Sequence, residues 1–149
     1  MKVYRITTLK WSTQLSASGF SARWNSKGKF MIYTAGSRAL ACLENVVHRS
    51  GEGLNDNFRV MVINIPSFLD IESLNTKVLP ESWSDFTSYH FCQQIGNEWL
   101  DSRRTAILQV PSVIIKKEFN YLINPNHEHF KNIKLESTEK FDFDSRIKD

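Results

Sequence analysis

Apolar positions recur along this chain in two periods, and the switches between them mark its elements. Val3 to Thr7 alternates and reads as a short opening strand. Residues 20 to 34 read as a hairpin turning at Asn25-Ser26-Lys27-Gly28. If Asn25 pairs with Lys29 across that turn, Phe30 and Ile32 face the core, Arg23 faces Met31, and Tyr33 projects from the same side as Arg23. Leu40, Leu43 and Val47 then recur at helical spacing, with Ser37 placed to cap the start and Gly51 to end the helix. Phe58 to Ile65 is apolar on both faces, with Phe58, Val60 and Val62 on one and Met61, Ile63 and Ile65 on the other, and Pro66 stops it. A second helix is expected over Tyr89 to Leu100. Strands are expected over Ala106 to Val110, Val113 to Ile115 and Phe119 to Ile123, with a closing Phe141-Asp142-Phe143 segment. Residues 67 to 88, rich in turn formers and acids, read as a surface excursion. Helices and strands mix without βαβ alternation, which makes the fold class α+β, in one domain over residues 1–149.

Composition narrows the function classes. With 149 residues, of which 41% are hydrophobic and 23% charged, the chain buries one core. No run approaches the roughly 18 apolar residues of a membrane span, and Met1-Lys2-Val3-Tyr4-Arg5 lacks the apolar block of a secretory signal, so a cytoplasmic protein with no membrane partner is expected. Two cysteines, Cys42 and Cys92, do not make a disulfide framework and read as reduced packing residues. The net charge of +3 comes from scattered Lys and Arg, which suits a small anionic ligand better than a long DNA contact.

Three positions carry candidate chemistry. Arg23 beside Tyr33 offers a guanidinium fork for phosphate oxygens and a ring for a flat heterocycle, although a solvated hairpin face has the same spacing. Glu44 lies on the stripe Ala41, Glu44, His48, at the edge of the apolar face. A fixed carboxylate there can stabilise the oxocarbenium character that builds up when an N-glycosidic bond breaks; the same spacing equally gives an ordinary Glu–His pair one turn apart. Ser112, at the start of the run Val113 to Ile115, is placed to bond a ligand amide or ribose, or to cap a turn; without a Gly-Xaa-Ser-Xaa-Gly elbow it is not read as an acyl nucleophile. His127 and His129 lack the further ligands a zinc site needs, so no metal is expected. Neither GxGxxG nor GxxxxGK[ST] is present, so side chains must hold any nucleotide.

Read together, these pieces resemble the RES family, the toxin half of bacterial toxin–antitoxin pairs, named for an arginine, a glutamate and a serine. The likeness runs through Val3-Tyr4-Arg5-Ile6, Gly19-Phe20-Ser21-Ala22-Arg23-Trp24-Asn25, Tyr33-Thr34-Ala35 and Ala39-Leu40-Ala41-Cys42-Leu43-Glu44. It resumes at Val110-Pro111-Ser112-Val113, continues over Asn120 to Phe130, and ends on Phe141-Asp142-Phe143-Asp144-Ser145-Arg146. The resemblance implies an ADP-ribosyltransferase-like split antiparallel sheet with flanking helices, and NAD+ as substrate rather than as cofactor. It implies catalytic roles for Arg23, Tyr33, Glu44 and Ser112. Arg23 would grip the pyrophosphate, Tyr33 stack on nicotinamide, Glu44 stabilise the oxocarbenium ion and Ser112 orient the ribose. Arg5, Trp24 and Asn25 join Arg23, Tyr33 and Ser112 as expected NAD+-binding positions. The implied partner is an antitoxin related to Xre repressors that covers the active site, with DNA reached only through it; the oligomeric state, monomer or homodimer, stays open. Two other readings are a mono-ADP-ribosyltransferase acting on a cellular protein and a non-catalytic corepressor that binds the antitoxin. Ser21 and Ala22 stand where the family carries glycines, adding Cβ atoms to a turn that is usually open.

Overall fold

The computed structural model describes residues 1–48 and 57–147. Seven strands form one sheet: β1 (Lys2–Thr8), β2 (Ile32–Ala35), β3 (Phe58–Asn64), β4 (Ile71–Ser73), β5 (Ile107–Pro111), β6 (Phe119–Ile123) and β7 (Lys134–Phe141). Their order is β4-β5-β6-β2-β1-β3-β7, and every neighbouring pair is antiparallel except the parallel β4 and β5. Two helices, α1 (Arg38–His48) and α2 (Tyr89–Ser102), complete an α+β architecture.

Strand alternation sends side chains to two faces, and the core divides accordingly. Val3, Ile32, Met61, Ile63, Ile107 and Ile123 gather on one face, under loops that contribute Leu69 and Ile133. The opposite face carries two clusters. Ile6, Ala35, Phe58, Val60 and Val62 meet Leu40 and Ala41 of α1, whereas Leu108, Val110 and Leu122 meet Cys92, Trp99 and Leu100 of α2. Each helix therefore covers one half of the same face, and a gap is left between them.

The sheet is split along that gap. β1 is paired with β3 from Lys2↔Asn64 to Thr8↔Phe58, and β2 with β6 from Ile32↔Ile123 to Ala35↔Asn120. Among the described residues β1 and β2 share only the Tyr4↔Ala35 register. Past that point the two strands diverge, and the halves of the sheet part.

Several sequence expectations change here. Residues 20–31 do not form a hairpin arm. The turn at Ser26 to Lys29 is present, with Gly28 at φ 85°, but the Asn25 side-chain amide donates to the carbonyls of Phe20, Ser26 and Lys29 and coils the segment around itself. Arg23 therefore does not pair across from Met31, and Phe30 is 45% exposed instead of facing the core. Ser37 caps α1 by accepting from the Leu40 N–H, as its position predicts; Gly51 lies outside the described residues. The buried face of α1 is Leu40 and Ala41, while Leu43 and Val47 are exposed, the helix packing chiefly on β1 and β2. Val113 to Ile115 is a turn, not a strand, since Ser112 Oγ accepts from the N–H groups of both Ile114 and Ile115 and bends the chain back toward β6. Residues 67–88 are not merely an excursion: they supply the edge strand β4, and Leu74, Leu79 and Trp83 pack against the α2 cluster.

Candidate active site

Between α1 and α2, where β1 and β2 part, lies a cleft of about 780 Å³, within the size range of small-molecule and cofactor sites. Tyr4 and Ile6 of β1 with Tyr33 of β2 contribute from the sheet, Glu44 and Asn45 from α1, and Arg23 and Tyr89 from the opposite side. Because both helices start or pass beside the split, residues far apart in sequence converge on it.

Glu44 is the carboxylate of this cleft. One oxygen accepts from Ser112 Oγ at 3.3 Å and the other faces His48 Nε2 at 3.2 Å, one turn along the helix. Ser112 is completely buried (0% exposed), and its hydroxyl is used three ways: it accepts from the Ile114 and Ile115 N–H groups and donates to Glu44. It does not line the cleft but stands behind Glu44, tying the carboxylate to the β5–β6 turn. It follows β5 instead of opening a strand, and Val113 and Ile114 of its turn do reach the cleft wall.

Arg23 lines the cleft, yet most of its donors are taken. Nη1 donates to the Trp83 carbonyl at 2.9 Å and the Asp85 carbonyl at 3.4 Å, and Nη2 to the Ser84 carbonyl at 3.2 Å. The guanidinium carbon lies 4.9 Å from the centre of the Tyr89 ring, whose other neighbour is Phe86, stacked at 5.5 Å. The Cys92 thiol also abuts Arg23; burial pushes that thiol up, and the guanidinium partly offsets the rise. Arg23 thus pins the 83–85 loop to the cleft wall and brings a positive charge there.

Tyr33 has its hydroxyl inside the wall. It accepts from the Trp24 N–H at 3.0 Å and donates to Asn25 Oδ1. Burial raises its ionisation well above the ordinary tyrosine value, so the ring stays neutral across the physiological range. Trp24 is buried, packing in the α2 cluster 6.2 Å from the Trp83 ring, and Asn25 is buried outside the cleft with its amide fully engaged. The Arg-Trp-Asn run therefore divides: Arg23 faces the cleft and Asn25 supports it from behind.

Arg5 comes to the cleft where β1 leaves β2. Nη1 donates to the Ser16 carbonyl at 2.8 Å, and no described carboxylate pairs with it. Burial lowers its pKa, the signature of a desolvated cation without an acid beside it. Among the described residues no group of three His, Cys, Asp or Glu comes together as a metal site, and no helix is long and apolar enough to cross a membrane.

Sequence reasoning missed Tyr89, Asn45 and the exposed rim. Tyr89 opens α2 and reads as an ordinary first-turn residue; only the packing of Trp24 against α2 brings it beside Arg23. Trp11 and Phe20 line the cleft at 56% and 77% exposure, and nothing in the sequence pattern marks them as exposed.

Comparison with known proteins gives the same assignment from several directions. The RES domain profile matches residues 2–144. The chain is 40% identical to the Prs ADP-ribosylating toxin of Sphingobium sp. (strain YBL2), over 84% of this chain and 79% of that protein. It is 34% identical to Toxin Res of Yersinia enterocolitica, covering 99% of this chain and 100% of the relative. Its fold is similar to a chain of the M. tuberculosis MbcT–MbcA toxin–antitoxin complex, with a TM-score of 0.75 at 18% identity, over 95% of this chain and 84% of the other. From the split sheet, the cleft-wall Glu44 backed by Ser112 and a match over nearly its whole length, the chain belongs to the RES domain family.

Proposed function

We propose that this chain is the toxin of a toxin–antitoxin pair and that it takes NAD+ as substrate, cutting the bond between nicotinamide and ribose. The observation that carries this reading is the Glu44 carboxylate, set on the wall of the cleft and anchored by the buried hydroxyl of Ser112. The electron pair of the C–N bond leaves with nicotinamide, whose ring nitrogen passes from cationic to neutral, and the ribose becomes an oxocarbenium ion. A carboxylate held beside that ion opposes its charge without having to reorganise during the reaction. Water then adds to the ribose carbon and gives up a proton; inorganic phosphate would add in the same way.

The remaining residues take roles that suit their surroundings. Arg5, a half-buried cation without an acidic partner among the described residues, is the better seat for the pyrophosphate. Arg23 adds its charge and holds the 83–85 loop, its hydrogen atoms being largely engaged by carbonyls. Tyr33 presents a neutral ring on which nicotinamide stacks, and Ser112 orients Glu44 rather than the ribose itself. The rim of Trp11, Phe20 and Val47 fits an antitoxin of the Xre-like class laid over the cleft in the cytoplasm, with DNA bound through that partner.

A second reading, transfer of ADP-ribose to a protein side chain, is favoured by the 40% identity to the Prs ADP-ribosylating toxin of Sphingobium. One experiment addresses both. Purified chain and its Glu44→Gln variant are incubated with NAD+, and nicotinamide release is followed directly, with and without lysate. Release by the unmodified chain alone supports glycosidic cleavage at Glu44, and a mass shift on a lysate protein supports transfer. Equal rates in the two proteins would remove Glu44 from the mechanism.

A further inference from the structure

Where β2 departs from β1, the Ile6 carbonyl has no β2 residue beside it, and the Asn45 side chain fills the gap: Nδ2 donates to Ile6 O at 3.1 Å. That contact fixes which end of the amide is which, since a carbonyl accepts only from N–H. Oδ1 is consequently left over. It is shielded from solvent and has no hydrogen-bond partner, alone in this respect among the buried side-chain atoms of the described residues. A buried acceptor without a donor is rare in folded proteins and carries a cost that a partner would remove. Asn45 also forms part of the cleft wall, next in sequence to Glu44 and on the same helix.

We propose that Asn45 is a further substrate-binding residue, whose Oδ1 accepts a hydrogen bond from a hydroxyl of the ribose that loses nicotinamide. The proposal rests on NAD+ being the substrate and adds the group that recognises its sugar. Glu44 reaches the ribose as an anion and Asn45 as a neutral acceptor, so the two divide the work between charge and recognition. The terminal torsion of asparagine is broad, and a swing of the amide about Ile6 O carries Oδ1 to the cleft surface that Asn45 already forms. The ligand then gives a donor to an acceptor that the protein's own groups do not partner.

The test is a cycle of protein and ligand changes read by calorimetry in the Glu44→Gln background, where turnover is suppressed. NAD+ and its analogues lacking the 2′- or 3′-hydroxyl of the nicotinamide ribose are titrated into proteins carrying Asn45 or Asn45→Leu. Asn45→Leu is expected to weaken NAD+ by roughly tenfold. One deoxy analogue is expected to bind the two proteins equally, and to bind the Asn45 protein roughly tenfold more weakly than NAD+ does. That last comparison needs no substitution at Asn45, so it holds even if Asn45→Leu folds poorly. Equal weakening of every analogue by Asn45→Leu, or full affinity of both analogues for the Asn45 protein, would overturn the assignment while leaving NAD+ as substrate. Absence of NAD+ binding to the Asn45 protein, together with no nicotinamide release by the unmodified chain, would overturn the substrate itself, and this contact with it.

Discussion

Replacing Gly96 by alanine sets two effects of opposite sign against each other. In an exposed helix the change gains about 1 kcal/mol, because alanine loses less backbone freedom. Gly96, however, is where α2 crosses the backbone of Trp24. A Cβ built there stands 1.7 Å from the Trp24 carbonyl oxygen, 2.7 Å from its carbon and 3.0 Å from its Cβ, so helix and segment must separate by more than about 1 Å. Overpacking of this kind costs about 1–3 kcal/mol. Separation also strains the Gln93 bonds to the Ala22 and Asn25 carbonyls and the Trp24 N–H bond to Tyr33, each worth about 1 kcal/mol. The net expectation is a loss of about 3 kcal/mol, or roughly 6–12 °C in melting temperature for a chain of this size. Thermal unfolding followed by circular dichroism measures it. Gly28→Ala is the control: its φ is 85° but nothing lies within 4 Å, so only the backbone term of about 1 kcal/mol applies. A Gly96→Ala protein melting at or above the unmodified chain would refute the packing argument outright.

Other expectations concern the site. Tyr33→Phe leaves the Trp24 N–H and Asn25 Oδ1 without their partner and should cost about 1–3 kcal/mol in urea unfolding. Because burial raises the Tyr33 pKa, the unfolded chain ionises first: stability is full below pH 10, the ordinary tyrosine value, and falls above it, and Tyr33→Phe should flatten that fall. Ser112→Ala removes the donor to Glu44 and the acceptor of two amides. It should reduce kcat by about tenfold or more with a smaller change in KM, and an unchanged kcat would free Glu44 from its anchor. Arg23→Lys keeps the charge but cannot serve three carbonyls in one plane, so amide hydrogen exchange should quicken over residues 83–89.

How much of this was legible beforehand varied with the range of the forces involved. β3 was readable from Phe58 to Ile65 because its two apolar faces each meet a separate cluster, and α2 because its period and length agree. The cap at Ser37 was equally local. The 20–31 segment was misread because a side-chain amide, that of Asn25, takes the bonds a β-ladder would have made. β7 from Lys134 to Lys140 was missed because a solvent-exposed edge strand shows little apolar alternation.

The sequence by itself determined most of the element types, the α+β class and the residues with usable chemistry, since hydrophobic period, capping and turn formers act over a few neighbouring positions. Tertiary structure decided which of those residues share a cleft and what each is free to do. Arg23 and Glu44 line one cleft only because two helices cover different halves of one sheet face, and the carbonyls of residues 83–85 that engage Arg23 lie some sixty positions away. The unpartnered oxygen of Asn45 has the same origin, a strand that turns away from its neighbour after one register pair. Such features depend on long-range pairing and packing, and no local pattern records them.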